Sequence, residues 1–94
     1  VGYGLSINET NHKVSFSCYP NPAREVLNVA SVGFTGDIRI QIFDASGRRV
    51  FQEIWVSNYL NNTNKVDISN FENGVYIIQI SDNFNTKTQK IFHL

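Results

Sequence analysis

The sequence predicts an all-β fold, an Ig-like antiparallel β-sandwich of about seven strands. Three observations carry this. Apolar residues alternate with polar ones along most of the 94-residue chain, which places one face of each strand in a core and the other in water. Turn-forming residues punctuate the alternating runs at Asn21-Pro22, Val32-Gly33 with Thr35-Gly36, Ser46-Gly47, Asn61-Asn62, Asn73-Gly74 and Asp82-Asn83. No stretch repeats apolar residues at i, i+3, i+4 and i+7, the mark of an amphipathic helix. A small closed barrel is the alternative architecture.

The strands follow in order. Val14, Phe16 and Cys18 alternate with Ser15 and Ser17; Leu27 and Val29 continue after two prolines. Ile38, Ile40 and Ile42 share one face, against Arg39, Gln41 and Phe43. Val50, Gln52, Ile54 and Val56 alternate with Phe51, Glu53 and Trp55. Val66 and Ile68 mark a short strand. Tyr76, Ile78 and Ile80 oppose Val75 and Ile77, and "TKTQKIF" closes the chain. β-Branched and aromatic residues suit such half-buried pleated surfaces. Residues 1–13 lack the alternation and read as a linker from an upstream domain, with 14–94 as the folded unit. The chain starts without an initiator Met and without a basic-then-apolar export signal, so it reads as a piece of a larger protein.

Composition narrows the function. Eight basic residues balance eight acidic ones, which argues against a nucleic-acid binder, since that needs a basic face. No apolar run reaches the roughly 18–20 residues of a membrane helix, so direct membrane insertion is not expected. Cys18 is the only cysteine; within its apolar alternation it reads as a buried structural thiol. His12 and His93 stand at opposite ends of the chain without ligand-spaced partners, so no metal is expected. Gly33 and Gly36 lack the Lys-Ser/Thr of a phosphate loop. The sequons Asn8-Glu9-Thr10 and Asn61-Asn62-Thr63 are chance matches in an Asn-rich chain. No catalytic constellation appears, no cofactor is implied, and the domain is expected not to be an enzyme. Asp44, Asp67 and Asp82 read as turn caps.

The turns themselves are informative. Asp44-Ala45-Ser46-Gly47 joins two alternating runs: Asp44 can accept backbone N–H bonds two residues on, and Gly47 supplies a positive φ. In "VDISNFENGVYIIQI" Phe71 is the one large apolar residue of the link and is expected to fold back onto the core. Asn73-Gly74 then turns the chain into the next strand. Pro20 and Pro22 remove two backbone donors and bias Tyr19 and Asn21 toward extended backbone. The "YPNP" segment is therefore expected to end one strand, cross over without pairing, and release the next.

Taken together, "YPNPAREVLNV", "IQIFDASGRRV", "VDISNFENGVYIIQI" and a Lys-containing last strand resemble the type A C-terminal sorting domain of the Bacteroidetes type IX secretion system. The resemblance covers Val14 to Leu94. Pro20, Asn21 and Pro22 match its opening motif. Asp44, Gly47 and Val50 match its middle hairpin, Asn73, Gly74 and Tyr76 its Asn-Gly-x-Tyr strand, and Lys87 and Lys90 its last strand. This chain separates those lysines by Thr88-Gln89 and ends in Ile91-Phe92-His93-Leu94, where family members often end in paired Lys and a terminal Lys or Arg.

The resemblance implies a non-catalytic label on an upstream cargo protein. A separate N-terminal signal takes the cargo to the periplasm. The label docks on the outer-membrane translocon, and a sortase-like cysteine peptidase then usually removes it. The cargo ends attached to lipopolysaccharide at the cell surface or released. Cleavage would fall within residues 1–13. The competing reading is an Ig-like or fibronectin-like module holding carbohydrate or protein through Trp55, Tyr59 and Tyr19. Isolated sheet edges invite pairing with a second copy, so a weak homodimer is compatible with either reading.

Overall fold

Alternation becomes pairing in the computed structural model, which describes residues 14–57 and 61–94. Seven strands are present among them: β1 Ser15–Tyr19, β2 Val26–Val32, β3 Gly36–Asp44, β4 Arg49–Ser57, β5 Asn61–Asp67, β6 Gly74–Ser81 and β7 Thr86–His93. Pairing between these strands is antiparallel. The strands form a three-stranded sheet, β1-β2-β5, and a four-stranded sheet, β4-β3-β6-β7. This is the expected sandwich rather than a barrel.

The core lies where the alternation places it. Cys18, Leu27, Val29 and Val66 come from the smaller sheet, and Ile38, Ile40, Ile42, Tyr76, Ile78, Ile80 and Ile91 from the larger. All are buried, as are Phe34 and Ile68 from the connections. Cross-strand pairs fix the register: Ile40 stands opposite Ile80, and Ile42 opposite Ile78. A one-residue slip would turn this isoleucine set to solvent.

Two sequence expectations need correction. Asn61 and Asn62 are not a turn; they begin β5 and pair with Val32 and Ser31. β2 offers an edge along its whole length, and a polar Asn-Thr run can pair there by backbone alone. The proline segment also does not cross over unpaired. β1 and β2 are neighbours in one sheet, with Tyr19 opposite Asn28, and Ala23 forms a parallel bridge to His93 of the other sheet. His12, the Asn8 sequon, the linker at residues 1–13 and Tyr59 lie outside the described residues.

Candidate functional site

The β3–β4 turn is organised by one carboxylate. Asp44 Oδ1 accepts from the Ser46 N–H at 3.0 Å, the Ser46 hydroxyl at 2.6 Å and the Arg48 N–H at 2.9 Å. Its Oδ2 accepts from Arg48 Nε at 3.2 Å. These partners, the Ser46 hydroxyl first, hold the Asp44 carboxyl below the usual carboxylate range. Gly47 has φ 91°, as a glycine closing a tight hairpin should. The register shifts between Ile42 and Phe43, a bulge that lets Val50 pack against the core.

The link between β5 and β6 uses the same devices. Asp67 Oδ1 caps Ser69 through its N–H at 2.9 Å and its hydroxyl at 2.6 Å. Phe71 does fold back onto the core, its ring 5.2 Å from that of Tyr76. The Tyr76 hydroxyl donates to the Glu72 carbonyl at 2.6 Å, pinning the loop to the strand it precedes. Burial first, then the Glu72 and Asp44 charges, raise the Tyr76 pKa. Gly74 has φ 152°, in a region that is essentially glycine's alone.

The Pro-Asn-Pro segment is the third part. Both X-Pro bonds, Tyr19-Pro20 and Asn21-Pro22, are cis. Its prolines have no N–H to offer β7, and the Asn21 side chain takes their place. Asn21 Oδ1 accepts from the Phe92 N–H at 3.0 Å, and Nδ2 lies 3.5 Å from the Lys90 carbonyl. Ala23 continues the pairing by donating to the Phe92 carbonyl at 2.8 Å and accepting from the Leu94 N–H at 2.9 Å. The carboxamide thus acts as one more peptide group along the edge of β7. Nearby, the Ile68 N–H donates to the Glu25 carbonyl at 2.9 Å, tying this segment to the β5–β6 link.

All three parts sit at the same end of the sandwich. Asp44 stands opposite Tyr76, and Gly74 opposite His93. An open groove of about 600 Å³ runs between the two turns, lined by Asp44, Arg48, Val50, Phe71, Asn73 and Tyr76 among others. So Pro20, Asn21, Pro22, Asp44, Gly47, Val50, Asn73, Gly74 and Tyr76 gather at one end, with Lys90 next to Asn21. Lys87 does not join them: it stands opposite Ile80, toward the other end.

His93 was missed as a part of this end. It is only 5 % exposed, lies against Phe71 and Tyr76, and neither ring nitrogen has a hydrogen-bond partner among the described residues. The signal was available, since His93 follows Ile91 at strand spacing and so shares its core-facing side.

Other candidate residues divide. Burial pushes the Cys18 thiol up to about 12, so it carries no nucleophilic thiolate at neutral pH. Trp55 is half-buried against the core, and its Nε1–H donates to Glu53 Oε1 at 2.7 Å. Tyr19 is exposed, but on the other sheet. These two rings therefore do not form a shared platform for a sugar.

Comparison with known proteins bears on the family and the fold. A family model described as a secretion system C-terminal sorting domain matches residues 17–93. Among solved structures, the chain is similar to dimeric latent PorU from Porphyromonas gingivalis, with a TM-score of 0.66 at 18 % identity. That match covers 86 % of this chain and 9 % of the other, so the chain corresponds to a small part of that protein's length. No curated protein matches by sequence.

Proposed function

The chain belongs to the secretion system C-terminal sorting domain family, and from that premise we propose that it is a folded address label read at its motif-bearing end. Family membership makes it a type IX sorting signal, with the cell surface or extracellular space as its destination. In the proposal the label is joined to an upstream cargo, passes with it through the periplasm, and engages the outer-membrane translocon. A sortase-like cysteine peptidase then removes it, leaving the cargo anchored or released.

One observation supports this most. Motifs spread over more than fifty positions of sequence come together at one end of the sandwich, the Asp44 and Asn73–Tyr76 motifs around one groove and Asn21 on the adjoining segment of β7. A label shared by unrelated cargo needs a rigid surface that does not depend on the cargo. Asp44, held in its turn by four hydrogen bonds, and Tyr76, bonded to the Glu72 carbonyl, meet that need. The test is a periplasmic reporter fused ahead of residues 1–94 in a host with the secretion system. Reporter protected in the periplasm would sink the reading. Surface or released reporter, with the domain absent from the mature product by mass spectrometry, is the expected result.

A further inference from the structure

β7 is the outermost strand of the four-stranded sheet. The bonds of Phe92 to Asn21 and Ala23 set its parity. The even-numbered residues Thr88, Lys90 and Phe92 direct backbone N–H and C=O away from β6. Asn21 and Ala23 cover Phe92 and Leu94 and reach only the carbonyl of Lys90. Among the described residues none pairs with the N–H and C=O of Thr88 or the N–H of Lys90. An uncovered row of this kind is a template for an added strand.

Charge selects what is added. β7 carries Lys87 and Lys90 and no carboxylate, and neighbouring β1 and β6 carry no charged residue at all. Among the described residues the ion pair present is Arg48 with Asp44, so both lysines lack a carboxylate partner. Asp82, just before β7, is committed: it accepts from the N–H groups of Thr35, Phe84 and Asn85. The Asn21–Ala23 side adds Arg24 and Glu25, which offset one another. A second copy is a poor occupant, because antiparallel self-pairing about Thr88 gathers four lysines in one ribbon.

We propose that the Thr86–Lys90 edge of β7 docks an extended segment of a partner protein that carries two acidic residues three positions apart. Lys87 and Lys90 are three apart and therefore lie on opposite faces of the strand. Residues opposite them on an added strand are also three apart and also alternate in face. Acids two apart would share a face and meet only one lysine. The inference rests on the sorting reading for its biological setting, and on the edge and its charges for its chemistry.

The test is a titration of the isotope-labelled 94-residue chain with capped eight-residue peptides of alternating Thr and Val. One has Glu at its third and sixth positions, one Lys there, and one Glu at its third and fifth. The first is expected to shift the amides of Thr86, Thr88 and Lys90. It is expected to bind about tenfold tighter than the Lys peptide at low salt, the worth of two exposed ion pairs. The double variant Lys87→Glu/Lys90→Glu, altered only at exposed positions, is expected to reverse that preference. The inference is overturned if the Glu and Lys peptides bind alike, if the shifts fall on the β1 or β4 edges, or if no amide moves. Reporter export separates the two readings. An exported fusion with no peptide discrimination defeats the edge alone; a fusion that is not exported defeats the sorting reading, and the titration still decides the edge.

Discussion

Replacing Asn21 by Ala removes the carboxamide that closes the end of β7. The Phe92 N–H to Asn21 Oδ1 bond, at 3.0 Å, is well formed, whereas the 3.5 Å approach of Nδ2 to the Lys90 carbonyl is marginal. A neutral intramolecular hydrogen bond contributes about 0.5–1.5 kcal/mol net. Asn21 is exposed, so water competes and the lower half of that range applies, about 0.5–1 kcal/mol. In a domain of this size that lowers the melting temperature by about 2–8 °C. Calorimetry measures the shift, and amide hydrogen exchange locates it: Phe92 should lose protection while Ile78 and Ile80, deep in β6, keep theirs. Asn21→Asp keeps an acceptor for Phe92 and should lose less. A variant melting within about 1 °C of the parent, with Phe92 still protected, refutes the clip. Export of a reporter fused to the folded Asn21→Ala variant then shows whether the side chain is read or only the shape it holds.

Further outcomes follow from the same contacts. Gly74→Val meets no neighbouring atom at its new Cβ but must hold φ near 152°, so denaturant melts should show a loss of about 1–3 kcal/mol from backbone strain alone. Tyr76→Phe leaves the Glu72 carbonyl without its donor and should cost about 1–2 kcal/mol in the same melts. Cys18, with its thiol at about 12, should resist a thiol reagent at pH 8 in the native protein and react once unfolded. Burial raises the Asp82 pKa, but the N–H groups of Thr35, Phe84 and Asn85 outweigh it and the folded value is lowered. That stabilisation is fully present above the unfolded carboxyl value of about 4 and is lost as pH falls through the folded value. Asp82→Asn should therefore flatten the acid limb of a stability–pH curve.

How much the sequence revealed depends on the kind of interaction. Strand faces were legible because period two needs only local information: Ile38, Ile40, Ile42, Ile78 and Ile80 could point nowhere but inward. Asp44 and Gly47 were legible for the same reason, since an Asx-turn closes within five residues. Asn61 and Asn62 misled because their pairing with Ser31 and Val32 depends on partners about thirty residues earlier. The role of Asn21 could not be read locally either. Its partners, Lys90 and Phe92, are about seventy residues downstream, and prolines normally signal the end of pairing rather than a side chain that continues it. The motif order foretold a function, but the meeting of the motifs at one end of the sandwich is a product of the topology.

The central claim is that the motif-bearing end is what is read. Surface display of a fused reporter, scored by protease accessibility on intact cells, tests it with two folded variants. One changes the groove rim, Arg48→Glu with Asn73→Lys; the other changes the opposite end, Phe84→Ser, at a side chain that is 83 % exposed. Display is expected to fall about tenfold or more for the groove variant, a loss of about 1.4 kcal/mol in recognition, and to stay at the parent level for Phe84→Ser. Parent-level display from the groove variant, or loss confined to Phe84→Ser, would contradict it.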